Sequence, residues 1–159
     1  MPTVTVNYGK CVISPREMGI NAEGEDFILK EIELLGERGQ VSCVGTEGVH
    51  CVLKVACAED FDIERIGDAL CAHELFPNGA VCDFLQPVSE KEFILRVWEK
   101  GRENTHSLSS AVSAAEAAFR EGVCGEKVTV HLAAGSVEVE RDKDGNIKVT
   151  GPSEIIFAL

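Results

Sequence analysis

The chain has 159 residues, 45% hydrophobic and 26% charged; with no low-complexity tract, it reads as one compact unit spanning 1–159 that can bury its own core. Lys and Arg total 15 against 27 Asp and Glu, a formal charge of -12, so the surrounding field repels phosphate backbones and anionic lipid, and no nucleic-acid or membrane partner is expected. The apolar runs at 93–97 and 155–159 are far shorter than the roughly 20 residues of a membrane span, no basic-then-apolar leader is read at the N-terminus, and a cytoplasmic location is expected.

Alternation of apolar and polar residues predicts strands over 3–7, 27–34, 40–44 and 50–55, so the opening third reads as strand. Helical spacing follows at 62–72, where Ile63, Ile66, Ala69 and Leu70 fall on one side, Asp60 or Asp62 serves as N-cap, and Phe76-Pro77-Asn78-Gly79 acts as the helix stop. Strands resume at 79–86 and 92–98 around the turn formers Pro87 to Glu90.

From 107 to 120 the pattern changes. This segment is rich in Ala and Ser and carries almost no charge before Glu116. Strong helix formers without a charged stripe predict a helix enclosed on all sides by sheet. Gly122 and Gly125 end it, and strands are expected at 127–132, 136–140, 146–149 and 154–157. Asp144-Gly145 tolerates positive φ and marks a tight hairpin between the middle two, so the tail reads as an antiparallel meander. The fold class is α+β: about nine strands, mostly antiparallel, curled around one buried central helix, with a second helix outside.

Seven cysteines, an odd number, sit mostly inside apolar runs, without a C-x-x-C pair or a Cys/His cluster. Reduced, structural thiols are the expectation, with no zinc site and no cofactor.

An ordered series of segments carries a resemblance. Val41-Ser42-Cys43-Val44 leads to His50; Asp62 to Gly67 opens the outer helix; then come Phe76-Pro77, Asp83-Phe84-Leu85-Gln86, Arg96 to Gly101, the Ala-rich helix, Lys127 to Leu132, Gly135 and Thr150-Gly151-Pro152-Ser153-Glu154. In order and spacing these resemble the second domain of diaminopimelate epimerases, over nearly the whole chain. The resemblance implies a sheet curled around a central helix. It also implies chemistry without pyridoxal phosphate or metal, in which two cysteines, one from each domain, move protons on opposite faces of an amino-acid α-carbon.

Several positions depart from the family pattern. Its Ala-Cys-Gly-Thr-Gly segment matches Ser107-Leu108-Ser109-Ser110-Ala111, so Leu108 stands at the cysteine position, and leucine neither takes nor gives a proton. Its Gly-Asn-Pro-His segment matches Glu47-Gly48-Val49-His50, which puts Gly48 at one asparagine position, and Val81 stands at another. Of the family's site, His50 is retained, and Glu99-Lys100 matches a Glu-Arg pair that assists proton transfer and holds a carboxylate. The candidate catalytic residues are therefore His50 and Glu99. The candidate ligand-binding residues are Lys100 together with Thr105, Ser107, Ser109 and Ser110, where unpaired amides and the helix dipole suit an anion. His106 stands beside that helix start, whereas His73 and His131 read as surface or capping residues. Alternation turns Cys51 away from the face of His50 and Cys82 away from that of Val81, leaving neither as a replacement nucleophile.

These matches support a non-catalytic epimerase-like module that holds a small carboxylate or amino acid and forms a homodimer. The alternatives are one subunit of a split epimerase completed by a second epimerase-like chain, and a structural interaction protein. The resemblance places the other cysteine in a first domain outside this sequence.

Overall fold

The computed structural model describes residues 2–157. In chain order the elements are β1 Thr3–Gly9, α1 Pro15–Met18, β2 Phe27–Leu34, β3 Glu37–Gly45, β4 Val49–Lys54, α2 Ile63–Cys71, β5 Val81–Ser89, β6 Glu92–Glu99, β7 Arg102–Asn104, α3 Leu108–Glu121, β8 Lys127–Leu132, β9 Gly135–Arg141, β10 Ile147–Pro152 and α4 Ser153–Ile156. The result is a mixed, sheet-dominated α+β fold.

All ten strands join one sheet in the order β1-β10-β9-β8-β6-β5-β4-β3-β2, with β7 paired to β6. Most pairings are antiparallel; β4 with β5 and β6 with β8 are parallel. Each parallel pair needs a crossover connection, and these are the segments that contain α2 and α3. The two main helices are thus consequences of the two parallel joins.

Strand alternation sorts the core into two layers. Val44, Val52, Leu85, Leu95, Val97, Val130 and Val139 form one cluster with the alanines of α3. Their alternating neighbours Cys43, Cys51, Cys82, Phe84 and Trp98 form the other with Ile63 and Leu70 of α2. Residues 110–118 of α3 are all buried, and α3 packs against eight strands, β2 to β6 and β8 to β10 without β7. Small side chains make so many close approaches possible. On the opposite layer, α2 lies directly on β6: a Cβ at Gly67 would stand 2.5 Å from Cδ1 of Trp98, whose Nε1 donates to Asp68 at 2.7 Å.

Three expectations are corrected. Residues 154–157 do not extend the sheet, because Ser153–Ile156 form α4. A Cβ on Gly135 would meet Ile155 at 2.8 Å and one on Gly151 would meet Ile156 at 3.5 Å. Both isoleucines therefore pack on β9 and β10, whereas in a strand consecutive side chains point to opposite faces. The opening third also contains a short helix, α1, capped by Ser14 and closed by Gly19 at φ 72. β7, of three residues, is an added strand.

Candidate active site

The N-terminus of α3 opens into a surface depression of about 530 Å³, lined by Tyr8, Glu47, Gly48, His50, Val81, Glu99, Asn104, His106, Ser107, Leu108 and Ser109. Ser107 is the N-cap of the helix, with extended backbone, and its hydroxyl accepts from the Ser110 amide at 3.2 Å. The first intrahelical bond runs from Ala111 N–H to Ser107 C=O at 3.2 Å. The amides of Leu108 and Ser109 precede both bonds, as the first donors of any helix do. With the positive end of the helix dipole behind them, they present the donors an anion seeks.

Beneath this mouth lies a buried polar chain. His50 on β4 is 1% exposed and Asp83 on β5 is fully buried, and His50 Nδ1 meets Asp83 Oδ2 at 2.9 Å. The parallel register sets His50 opposite Val81 and Val52 opposite Asp83, which brings the two side chains together on the α3 face. Ser110 of α3 reaches His50 Nδ1 at 3.5 Å and accepts a hydrogen bond from Ser107 at 2.9 Å. Burial drives the Asp83 carboxyl above its ordinary value; His50, and after it the Ser110 hydroxyl, pull in the opposite direction. Asp83 Oδ1 has no hydrogen-bond partner among the described residues. With Nδ1 engaged by Asp83, the remaining ring nitrogen, Nε2, makes no protein hydrogen bond among the described residues, and His50 lines the depression.

The rim is acidic. Glu99 accepts from Asn104 Nδ2 at 2.7 Å, and Asn104 Oδ1 in turn accepts from the His106 amide at 3.2 Å. Burial raises the Tyr8 hydroxyl, and the Glu47 charge adds to that rise. The lining thus combines amide donors and an imidazole with two carboxylates.

Among the residues singled out from sequence, His50, Glu99, Ser107 and Ser109 line the depression and Ser110 lies just beneath it. Lys100 and Thr105 are exposed outside the lining; Lys100 occupies the turn after β6 at φ 51. Leu108 lines the depression, and no cysteine does. Cys51 and Cys82 lie in the α2-side layer. The Cys51 thiol is pushed well above its ordinary value, first by its hydrogen bond with Cys43 and then by burial. His106 joins the lining, whereas His73 ties the end of α2 to β2 through Glu33 C=O and accepts from the Leu75 amide through its other ring nitrogen.

Asp83, Tyr8, Glu47 and Asn104 are site residues that sequence reasoning did not single out. Asp83 had one signal, an acidic residue within an otherwise apolar strand run. Among the described residues no three of His, Cys, Asp or Glu are grouped to hold a metal, and no helix is long and apolar enough to cross a membrane.

The diaminopimelate epimerase family model matches residues 43–156. Diaminopimelate epimerases of Desulfitobacterium hafniense and Moorella thermoacetica are 30% and 31% identical over 97% of this chain. The match takes in 55% and 56% of those proteins, so the chain spans about half the length of these curated relatives. In fold, a solved structure titled a "Predicted Epimerase" from Pseudomonas aeruginosa superposes with a TM-score of 0.58 at 17% identity, over 94% of this chain and 55% of that one.

Proposed function

From the premise that the chain belongs to the diaminopimelate epimerase family, we propose that it is an amino-acid-binding, non-catalytic domain of that family, with its ligand at the N-terminus of α3. In this reading the chain forms one domain whose sheet curls around α3. The carrying observation is the lining itself: Leu108 stands at the helix mouth and no thiol accompanies it. Two-base inversion at an α-carbon needs a proton donor and an acceptor on opposite faces. Leucine supplies neither.

The charge pattern favours a zwitterion. The Leu108 and Ser109 amides suit an α-carboxylate, and Glu47 and Glu99 suit an ammonium group. A dicarboxylate without an amine meets the same amides but also the acidic rim. The domain is proposed to work in the cytoplasm as a homodimer.

The test is a thermal-shift panel with paired α-amino acids and their deaminated analogues. At a hundredfold excess over Kd a ligand adds about 2.7 kcal/mol, which for a chain of this size raises Tm by roughly 5–10 °C. The amino acids are expected to shift Tm and the analogues not. In deuterated water the α-hydrogen of the bound amino acid is expected to persist; its exchange by this chain alone would show that the domain is catalytic.

The His50–Asp83 pair favours a second reading. An imidazole whose Nδ1 is held by a buried carboxylate presents Nε2 as an oriented base. As one subunit of a split epimerase, this chain would supply His50 or Glu99, and a second epimerase-like chain the opposing thiol. Exchange only in the mixture of both chains is the signature of that arrangement.

A further inference from the structure

On the opposite face of the sheet from the depression, two thiols stand side by side. Cys71 is the last residue of α2 and Cys82 the second of β5, and their sulfurs are 3.4 Å apart. Cys71 is half-buried and Cys82 is fully buried. The Cys71 thiol donates to Ala80 C=O at 3.1 Å, so its sulfur is left to accept from Cys82. Cys82 also approaches Gly67 C=O at 3.6 Å. The loop between them is short, and both ends are held by regular structure.

We propose that Cys71 and Cys82 are a thiol–disulfide exchange pair, with Cys71 as the attacking and Cys82 as the resolving sulfur, and low-molecular-weight disulfides as the co-reactant.

The assignment of roles follows from access and protonation. Of the two, only Cys71 offers surface to a small disulfide. The hydrogen bond from Cys82 also holds the Cys71 thiol below its ordinary value, although burial works against this. Cys82 is driven far upward, first by the same hydrogen bond and then by burial, so it remains protonated until it resolves. The reaction balances. The Cys71 thiolate attacks one sulfur of the disulfide, the S–S bond breaks, and the first thiol leaves with the proton Cys71 gave up. Cys82 then attacks the Cys71 sulfur of the mixed disulfide, passing its proton to the second departing thiol. Two protein thiols are oxidised, and one disulfide is reduced to two thiols. Closing the link brings the sulfurs from 3.4 Å to about 2.05 Å.

Cys43 and Cys51 do not compete. Both are fully buried, so neither meets the co-reactant first. Cys57 is exposed but hydrogen-bonds Asp60, and no other thiol is its hydrogen-bond partner among the described residues, which makes it an internal control for simple mixed-disulfide formation.

The experiment incubates the full chain with oxidised glutathione, quenches with acid and maps the cysteines by intact mass and peptide mass spectrometry. Trp98, the single tryptophan, packs on α2, so an unchanged emission maximum shows that the folded chain reacted. The expected product has lost two hydrogens through a Cys71–Cys82 link that dithiothreitol reverses, with glutathione retained only at sites such as Cys57. In Cys82→Ser the expected product is a trapped mixed disulfide at Cys71, and Cys71→Ser leaves Cys82 unmodified. Stable glutathionylation of Cys71 in the unaltered chain, or a link that forms only in denaturant, overturns the proposal. The mapping of the unaltered chain decides the matter even if a variant does not fold.

Discussion

Asp83 provides the sharpest test of how the site is held. It is fully buried, 2.9 Å from the nearly inaccessible His50, and Asp83→Ala leaves the Nδ1 N–H of His50 without its acceptor. An orphaned buried donor costs about 1–3 kcal/mol, and the void left by the carboxyl adds to it, so Asp83→Ala is expected to lose about 2–4 kcal/mol. Asp83→Asn keeps an oxygen in place and is expected to lose about 1 kcal/mol near neutral pH. The two variants also separate charge from shape. Burial raises the folded-state pKa of Asp83 above its unfolded value. An acid shifted in this direction binds its proton more tightly in the native state, so its stabilising contribution is complete below the unfolded pKa. That contribution declines as pH rises through the folded pKa. The stability of the unaltered chain should therefore fall relative to Asp83→Asn as pH rises from about 4, the ordinary carboxylate value, through that raised pKa. Urea unfolding followed by Trp98 fluorescence at a series of pH values measures both quantities. Parallel pH profiles for the two proteins, or an Asp83→Ala cost below about 0.5 kcal/mol, would refute the buried-pair account.

Three further expectations rest on separate contacts. Gly67→Ala gains about 1 kcal/mol of helix propensity, but its Cβ would lie 2.5–2.9 Å from three atoms of a Trp98 anchored by Asp68, so a net loss of about 1–2 kcal/mol in thermal or urea unfolding is expected. Ser107→Ala removes the cap of α3 and the hydroxyl that orders Ser110, with an expected loss of about 1 kcal/mol and, in the ligand panel, a reduced Tm shift. Burial pushes the Cys11 thiol up to about 12 and Cys124 to about 11. At pH 8 iodoacetamide is therefore expected to label exposed Cys57 while leaving both unmodified until the chain is denatured, as peptide mapping can show.

Much of the fold was legible because its signals are local. The small-residue run of α3 has no charged stripe to expose, so its burial could be read directly, and Asp144-Gly145 marked the hairpin between β9 and β10. The errors came where local pattern loses its force. Ile155 and Ile156 satisfy strand propensity, but both pack on the sheet as a helical turn allows, which no four-residue window distinguishes. Arg102–Asn104 is too short to alternate. Within the site, His50 and the serines around the start of α3 were singled out from motif positions, whereas Asp83 was not. Its partnership with His50 depends on the parallel register of β4 on β5 across 33 residues of sequence, and no composition or period encodes that pairing.

The same register explains why the mouth of α3 sits where it does. A helix of small residues packs closely but slides easily, since alanines offer little to interlock. What fixes α3 is a row of polar contacts to the β3 and β4 region along its length. Ser110 meets His50, Ser113 meets Thr46 at 2.9 Å, and Glu121 accepts from Ser42 at 2.6 Å. Lys54 of β4 then pairs with Glu121 at 2.7 Å. Displacing the helix by one turn would break every one of these, and the buried members, Ser42, His50, Ser110 and Ser113, would lose these partners, which is costly for buried polar groups. Serines that look incidental in an alanine-rich segment therefore hold Leu108 and the two free amides beside His50. The candidate site depends on that register, whether or not a thiol is present to use it.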